Sequence, residues 1–193
     1  MNEPAEVLGS GELELRRWRT GDVDVLDRTI HESLDHLKPW MPWTVNAGRP
    51  HTADFLTRSH EEWETGQGFG YAITSDAVVI GSCGLWRRIG PGGLDIGYWI
   101  HPSWGGRGLA TKAAAALVGQ GLRLAGIDHV EIHHDAANVA SGAVARRLGF
   151  TEVGRSPVPE GPEAPGQVGI DVTWRITAEQ WEARTASDGE RAL

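Results

Sequence analysis

Cysteine is nearly absent from this chain: Cys83 stands alone, so no internal disulfide can form and a reducing compartment is expected. No apolar run reaches the roughly 18 residues that a membrane-spanning helix needs. The opening MNEPAEVLGSGELELRRW has neither a basic start nor an apolar stretch, so no secretory leader is expected. Positive charge is in deficit, with 18 Lys and Arg against 26 Asp and Glu and a net charge of −8. These absences argue against a disulfide-stapled secreted scaffold, a membrane partner and a general affinity for nucleic-acid phosphates. They favour a cytoplasmic protein. No internal repeat and no strong interior linker interrupts the 193 residues, a length suited to one domain with a substantial core.

What is present reads as alternating strands and helices. ELELRRW (12–18) alternates like a strand, and TGDVDVLDRTIHESL opens on a cap signal and continues as a helix. Two prolines in LKPWMPW end it, and TADFLTRSHEEWETG forms a second helix whose SHEEWE segment is a solvated face. GFGYAITS and AVVIGSCGLWRR are strands joined by a tight turn near Asp76, and GLDIGYWI is a third strand. A helix over 107–124 follows, with Leu109, Ala113, Leu117, Gly121 and Leu124 on one face. IDHVEIHH is a strand and NVASGAVARRLG a short helix closed by a left-handed Gly149. FTEVGRS and GIDVTWRI are strands, and TAEQWEA adds a helical turn or two. The Pro/Gly/Glu-rich PVPEGPEAPGQ (157–167) reads as a mobile loop. The fold class expected is a single α/β domain over 12–182, its mixed, largely antiparallel sheet flanked by helices, with 1–11 and 183–193 as loose termini.

The densest chemical signal is HPSWGGRGLATK, where Gly105, Gly106 and Gly108 precede a helix. Glycines there let backbone amides close on an anion, and the helix N-terminus adds unpaired N–H groups and the positive end of its dipole. The amides of Gly106, Arg107, Gly108, Leu109 and Ala110 would grip a pyrophosphate, with Arg107 adding charge. The same glycines also fit a tight strand-to-helix connection with no ligand. GGRGLATK does not fit G-x-x-x-x-G-K-[ST], and a dinucleotide fold wants its glycine turn after the first strand of a βαβ series. HHD carries no metal site, because neighbouring strand residues point to opposite faces. Cys83, in an apolar strand, is expected to be packed and inert.

GYWIHPSWGGRGLATKAAAAL followed by ANVASGAVARRLGFTEVG resembles the GNAT acyl-CoA N-acyltransferases, and with LDHLKPWMPW it is similar to their RimJ/RimL branch, the ribosomal-protein-alanine N-acetyltransferases. The resemblance covers roughly residues 12–182. It implies acetyl-CoA as cofactor and maps the signature Q/R-x-x-G-x-G/A onto Gly105 to Ala110, with Thr111 next. Gly105 stands where Gln or Arg is usual, so one side-chain contact to the diphosphate is missing. The resemblance further implies that Trp99, Ile100 and His101 pair their backbone with the pantetheine arm, that Asn138 hydrogen-bonds that arm, and that Ser141 faces the leaving thiolate. Trp40 and Trp43 would wall the acceptor side.

The reaction needs a neutral amine, and a carboxylate or histidine, directly or through water, would take its proton. Asp95 is the first candidate base, at a place where many relatives carry glutamate, and it also borders the acceptor. His134 and His133, at a strand end by the cleft, are the further candidates for catalysis and for acceptor binding. The expected activity is direct transfer of an acetyl group to a primary amine, foremost a protein or peptide N-terminal α-amine. A small-molecule amine such as an antibiotic or polyamine is the alternative acceptor. A non-catalytic acyl-CoA sensor is the alternative role. A homodimer is left open.

Overall fold

The computed structural model describes residues 4–10 and 12–190. Eight strands form one sheet: β1 (Val7–Ser10), β2 (Leu13–Arg17), β3 (Gly68–Ser75), β4 (Val78–Trp86), β5 (Gly93–Ile100), β6 (His129–Asp135), β7 (Thr151–Pro157) and β8 (Ile170–Thr177). Their spatial order is β1-β2-β3-β4-β5-β6-β8-β7. Every pairing is antiparallel except β5 with β6. The helices are α1 (Val23–Leu37), α2 (Arg49–Glu64), α3 (Leu109–Gly121), α4 (Val139–Arg147) and α5 (Ala178–Glu190).

Side-chain alternation along the strands divides the core in two. Leu94, Ile96 and Ile100 of β5 join Val130 and Ile132 of β6 beneath Ala113 and Leu117 of α3, Val144 of α4 and Leu148 at the end of α4. Trp18, Leu26, Ile30, Leu56, Ala72 and Val79 form the second cluster, under α1 and α2, with Trp99 packed against it. Asp95 and Gly97 alternate in step with Trp99 and so share the α1–α2 face of the sheet. α3 is shorter than the 107–124 expected, starting at its Gly108 cap and ending at Gly121, but the residues read as its buried face, Leu109, Ala113, Leu117 and, just past its end, Leu124, are buried as expected. Gly121 lets α3 pack close to the sheet there: an added Cβ would lie 3.2 Å from Leu94 Cδ1 and 3.3 Å from Leu85 Cδ2, so both side chains would have to shift.

Three further segments depart from the sequence reading. Val7–Ser10, expected to be loose, pairs with β2 in the register Val7↔Arg16 to Ser10↔Leu13. The last helix runs over Ala178–Glu190, beyond the turn or two expected and into the supposedly loose tail. The loop 158–169 is docked: Gly166 N donates to Pro39 O at 2.9 Å, and Gln167 Nε2 donates to Trp40 O at 3.2 Å. Gly149 takes the left-handed conformation expected of it, with φ 80°. The β3–β4 turn places Asp76 and Ala77 at φ 48° and 64°, the geometry that matches the twist of a two-residue hairpin.

Candidate active site

The pairing of β5 with β6 starts at Gly93↔His129 and stops at Ile96↔Ile132. Beyond Ile96 the two strands part, and the second half of β5 faces a cavity of 1320 Å³. The direction of its amides follows from one bond. His101 N donates to Ile80 O at 2.7 Å, on the β4 side. Backbone groups alternate along a strand, so the N–H groups of Tyr98 and Ile100 point the other way, into the split. Buried amides without a strand partner need another acceptor.

The glycine segment forms the outer end of the same cavity. Gly105, Gly106, Gly108, Leu109, Ala110, Thr111 and Lys112 line it. Gly106 and Gly108 have φ 74° and 73°, and a Cβ on either would point into open space. Gly108 is the N-cap of α3 with no side-chain cap, so the first amides of the helix have no partner from a capping side chain. Arg107 is placed differently from the expectation. Its guanidinium stacks over Trp104, 4.9 Å from the ring centroid, and it does not line the cavity. The nearby cation on the lining is Lys112, paired with Glu12 at 2.8 Å. His101 also turns away: its Nδ1 accepts from Ser103 N at 3.2 Å and caps the 102–104 turn. Open left-handed glycines, uncapped helix amides and a strand edge with free donors fit a diphosphate followed by an amide-bearing arm.

On the opposite wall, Asn138 and Ser141 both border the cavity at the start of α4. Asn138 is the helix cap, its Oδ1 accepting from Ser141 N at 3.2 Å. Ser141 Oγ lies 3.1 Å from the Tyr98 hydroxyl, which also approaches Ser141 O at 3.4 Å. Burial pushes the Tyr98 phenol up to about 12, so it stays protonated. The sequence reading missed Tyr98, because its partner lies 43 residues away on another element.

The α1–α2 side of the cavity holds the charged groups. Asp95, 4% exposed, is ion-paired with Arg88, which binds its Oδ2. Glu131 is its register partner on β6 and is held by Arg175. His133 sits between two carboxylates, with Nδ1 3.0 Å from Asp171 Oδ2 and Nε2 2.9 Å from Glu131 Oε2. The hydrogen bond to Asp171 and then that to Glu131 outweigh desolvation and raise its pKa to about 9. At neutral pH both ring nitrogens therefore donate. His134 points to the other face, where Nε2 accepts from Trp174 Nε1 at 3.0 Å and Nδ1 donates to Asp135 O at 2.7 Å. Neither histidine has a free lone pair for an amine proton. Trp40 lines the cavity with His36, Leu37 and Met41. Trp43 does not, because the turn opening at Pro42 sends it against the α1–α2 core. Asp171 and Arg88 border the cavity and were not singled out from the sequence. Among the described residues no cluster of three or more ligating side chains is placed to hold a metal ion. The Cys83 thiol is buried, which pushes its pKa far up and removes it from nucleophilic chemistry.

A largely antiparallel sheet, split beside its parallel pair and facing an anion cradle at a helix N-terminus, defines a coenzyme A-dependent acyltransferase. The chain belongs to the GNAT family: the model of the acetyltransferase (GNAT) domain matches residues 12–151. Enzymes of this family take their acetyl group from acetyl-CoA, and the protein is an acetyl-CoA-dependent N-acetyltransferase. Solved structures share the fold. A RimL ribosomal L7/L12 α-N-protein acetyltransferase in complex with coenzyme A superposes with TM-score 0.83 at 23% identity, over 91% of this chain and 99% of that one. RimJ from Mycobacterium smegmatis in complex with CoA-disulfide gives 0.81 at 24%, over 96% and 93%. The microcin C7 self-immunity acetyltransferase MccE, in complex with acetyl-CoA and AMP, gives 0.79 at 18%, over 86% and 93%. No curated protein matches by sequence.

Proposed function

We propose that this enzyme acetylates the N-terminal α-amino group of a protein or peptide in the cytoplasm. The observation that carries this reading is that the two histidines beside the open half of β5 offer no free lone pair, while the third lining histidine, His36, stands on α1 across from that strand's end. His133 is held as an imidazolium, and His134 has both nitrogens engaged. The cavity offers carboxylates instead, at Asp95 and Asp171. A weak base suits an acceptor that is already partly neutral. An α-amine has pKa about 7.7–8.0 and lysine about 10.4, so lysine costs about 3–4 kcal/mol more to deprotonate at pH 7. RimL, which shares the fold, is named for acting on the α-amine of a ribosomal protein. The structure holds no helix long and apolar enough to cross a membrane among its described residues.

When bound, acetyl-CoA supplies a thioester that an amine opens without an acyl-enzyme. The amides of residues 106–110 and of Tyr98 and Ile100 would hold and orient it, and the Ile100 N–H would serve to polarise the thioester. Asp95 keeps Oδ1 outside its bond to Arg88 and receives the amine proton there, directly or through a water. Ser141, aligned by Tyr98, would donate a hydrogen bond to the leaving thiolate. A thiol release assay tests the acceptor. Peptides starting with Ala or Ser should be turned over at least tenfold faster than the same peptides blocked at the N-terminus and carrying an internal lysine. Preference for blocked lysine peptides, or for polyamines or aminoglycosides, would reject the α-amine assignment.

A further inference from the structure

We propose that Asp135 is a positioning residue that ties the roof of the acceptor half to the helix bearing Asn138 and Ser141, so that both walls of the site are held by one carboxylate. The proposal rests on the reading of this cavity as the acyl-transfer site. Asp135 is the last residue of β6. Its Oδ1 accepts from Ala137 N at 2.9 Å, just before α4, and from Val168 N at 3.0 Å. Its Oδ2 accepts from Val168, Gly169 and Ile170 N at 3.1, 2.8 and 3.3 Å. Burial raises its pKa, but the amides of Val168, Ala137, Gly169 and Ile170 outweigh that and hold it below the usual carboxylate range. One anion thus organises four backbone amides on two segments about 30 residues apart.

The second segment covers the acceptor side. Val158, Glu163 and Gln167 line the cavity together with Leu37, Trp40 and Met41. The two residues just before the Asp135-bound amides are latched onto the turn after α1, with Gly166 N on Pro39 O and Gln167 Nε2 on Trp40 O. The latch is tight: a Cβ on Gly166 would lie 2.7 Å from both Pro39 O and Pro39 Cβ. Gln167 Oε1 in turn accepts from Glu163 N at 2.8 Å and Ala164 N at 3.2 Å, which makes the segment a compact arch. The closing leg of the arch thus rests on Pro39–Trp40 through residues 166–167 and on Asp135 through residues 168–170. Releasing the Asp135 contacts lets the acceptor wall drift from Ser141 while the glycine cradle stays intact.

Asp135→Asn tests this. Asparagine keeps one acceptor oxygen and turns a donor toward N–H groups. The backbone bond Ala136 N to Ile170 O at 2.8 Å remains, so the fold is expected to survive. With an Ala-starting peptide as probe, we expect KM for the peptide to rise at least tenfold and the Kd for CoA to stay within twofold. Hydrogen exchange should quicken together at residues 137–141 and 166–170. Gly166→Ala, which disturbs only the latch, should raise the same KM with exchange at 137–141 unchanged. An unchanged peptide KM in Asp135→Asn, an equal loss in CoA affinity, or faster exchange confined to one segment overturns the proposal. A wild-type enzyme that ignores the peptide rejects the acceptor reading alone, and the exchange measurement still decides the role of Asp135.

Discussion

His133 and His134 are sequence neighbours with opposite fates, and the sheet pleat decides them. His134 faces α4 and is held between an indole donor and a carbonyl acceptor. His133 faces α1 and α2 and carries a proton between Asp171 and Glu131. Its pKa rises from 6.5 to about 9, so the charged form is favoured by the fold. For a raised pKa the stabilisation is complete below about 6.5 and disappears as pH climbs through about 9. His133→Gln should therefore lower Tm most at pH 6, and the gap to the wild type should close by pH 10. A gap that is constant with pH would mean that the clamp contributes packing and no charge. A histidine protonated in the resting site is itself no base, and the proposed proton acceptor is a lining carboxylate, Asp95.

At the scale of elements, α3 and the strand before it were readable because their signals are local. The Leu109–Leu117 face, the glycines and the GLDIGYWI strand each lie within one segment, and periodicity or backbone chemistry exposes them. The partnership of Tyr98 with Ser141 and the docking of 158–169 on Pro39 and Asp135 were not readable, because they join segments far apart in the chain. A Pro/Gly-rich composition describes a loop that makes no secondary structure, and says nothing about amides waiting for a distant carboxylate. The four-residue β1 was too short to show an alternation. The glycine cradle makes its own prediction. Gly108 and Gly126 have φ 73° and 78°, and neither Cβ would meet an atom within 4 Å. Alanine at either costs roughly 1–2 kcal/mol of left-handed strain. Gly108→Ala should also weaken CoA at least tenfold in a titration, while Gly126→Ala, away from the cavity, should leave CoA affinity unchanged. Equal affinity in both would remove the backbone amides at 106–110 from the cofactor site.

At the scale of the whole molecule, the sheet is continuous on one side of the split and held on the other by the β5–β6 pairs that end at Ile96. The α3–α4 core crosses that boundary, with Leu94 and Ile96 on one side and Val130, Ile132 and Trp174 on the other. Heating should thus unfold the protein in one transition, the two halves sharing a core. A ligand that fills the split bonds to both halves of the folded sheet and to nothing comparable in the unfolded chain. Acetyl-CoA or CoA at a hundred times its Kd adds about 2.7 kcal/mol by mass action. For a domain of this size that corresponds to a rise in Tm of roughly 5–10 °C. ATP and NAD share the pyrophosphate but lack the pantetheine arm that the Tyr98 and Ile100 amides would bind, and at equal concentration they should raise Tm far less. If ATP protected as well as CoA, the cradle would be a general phosphate site, and the split between β5 and β6 would have no part in choosing the cofactor.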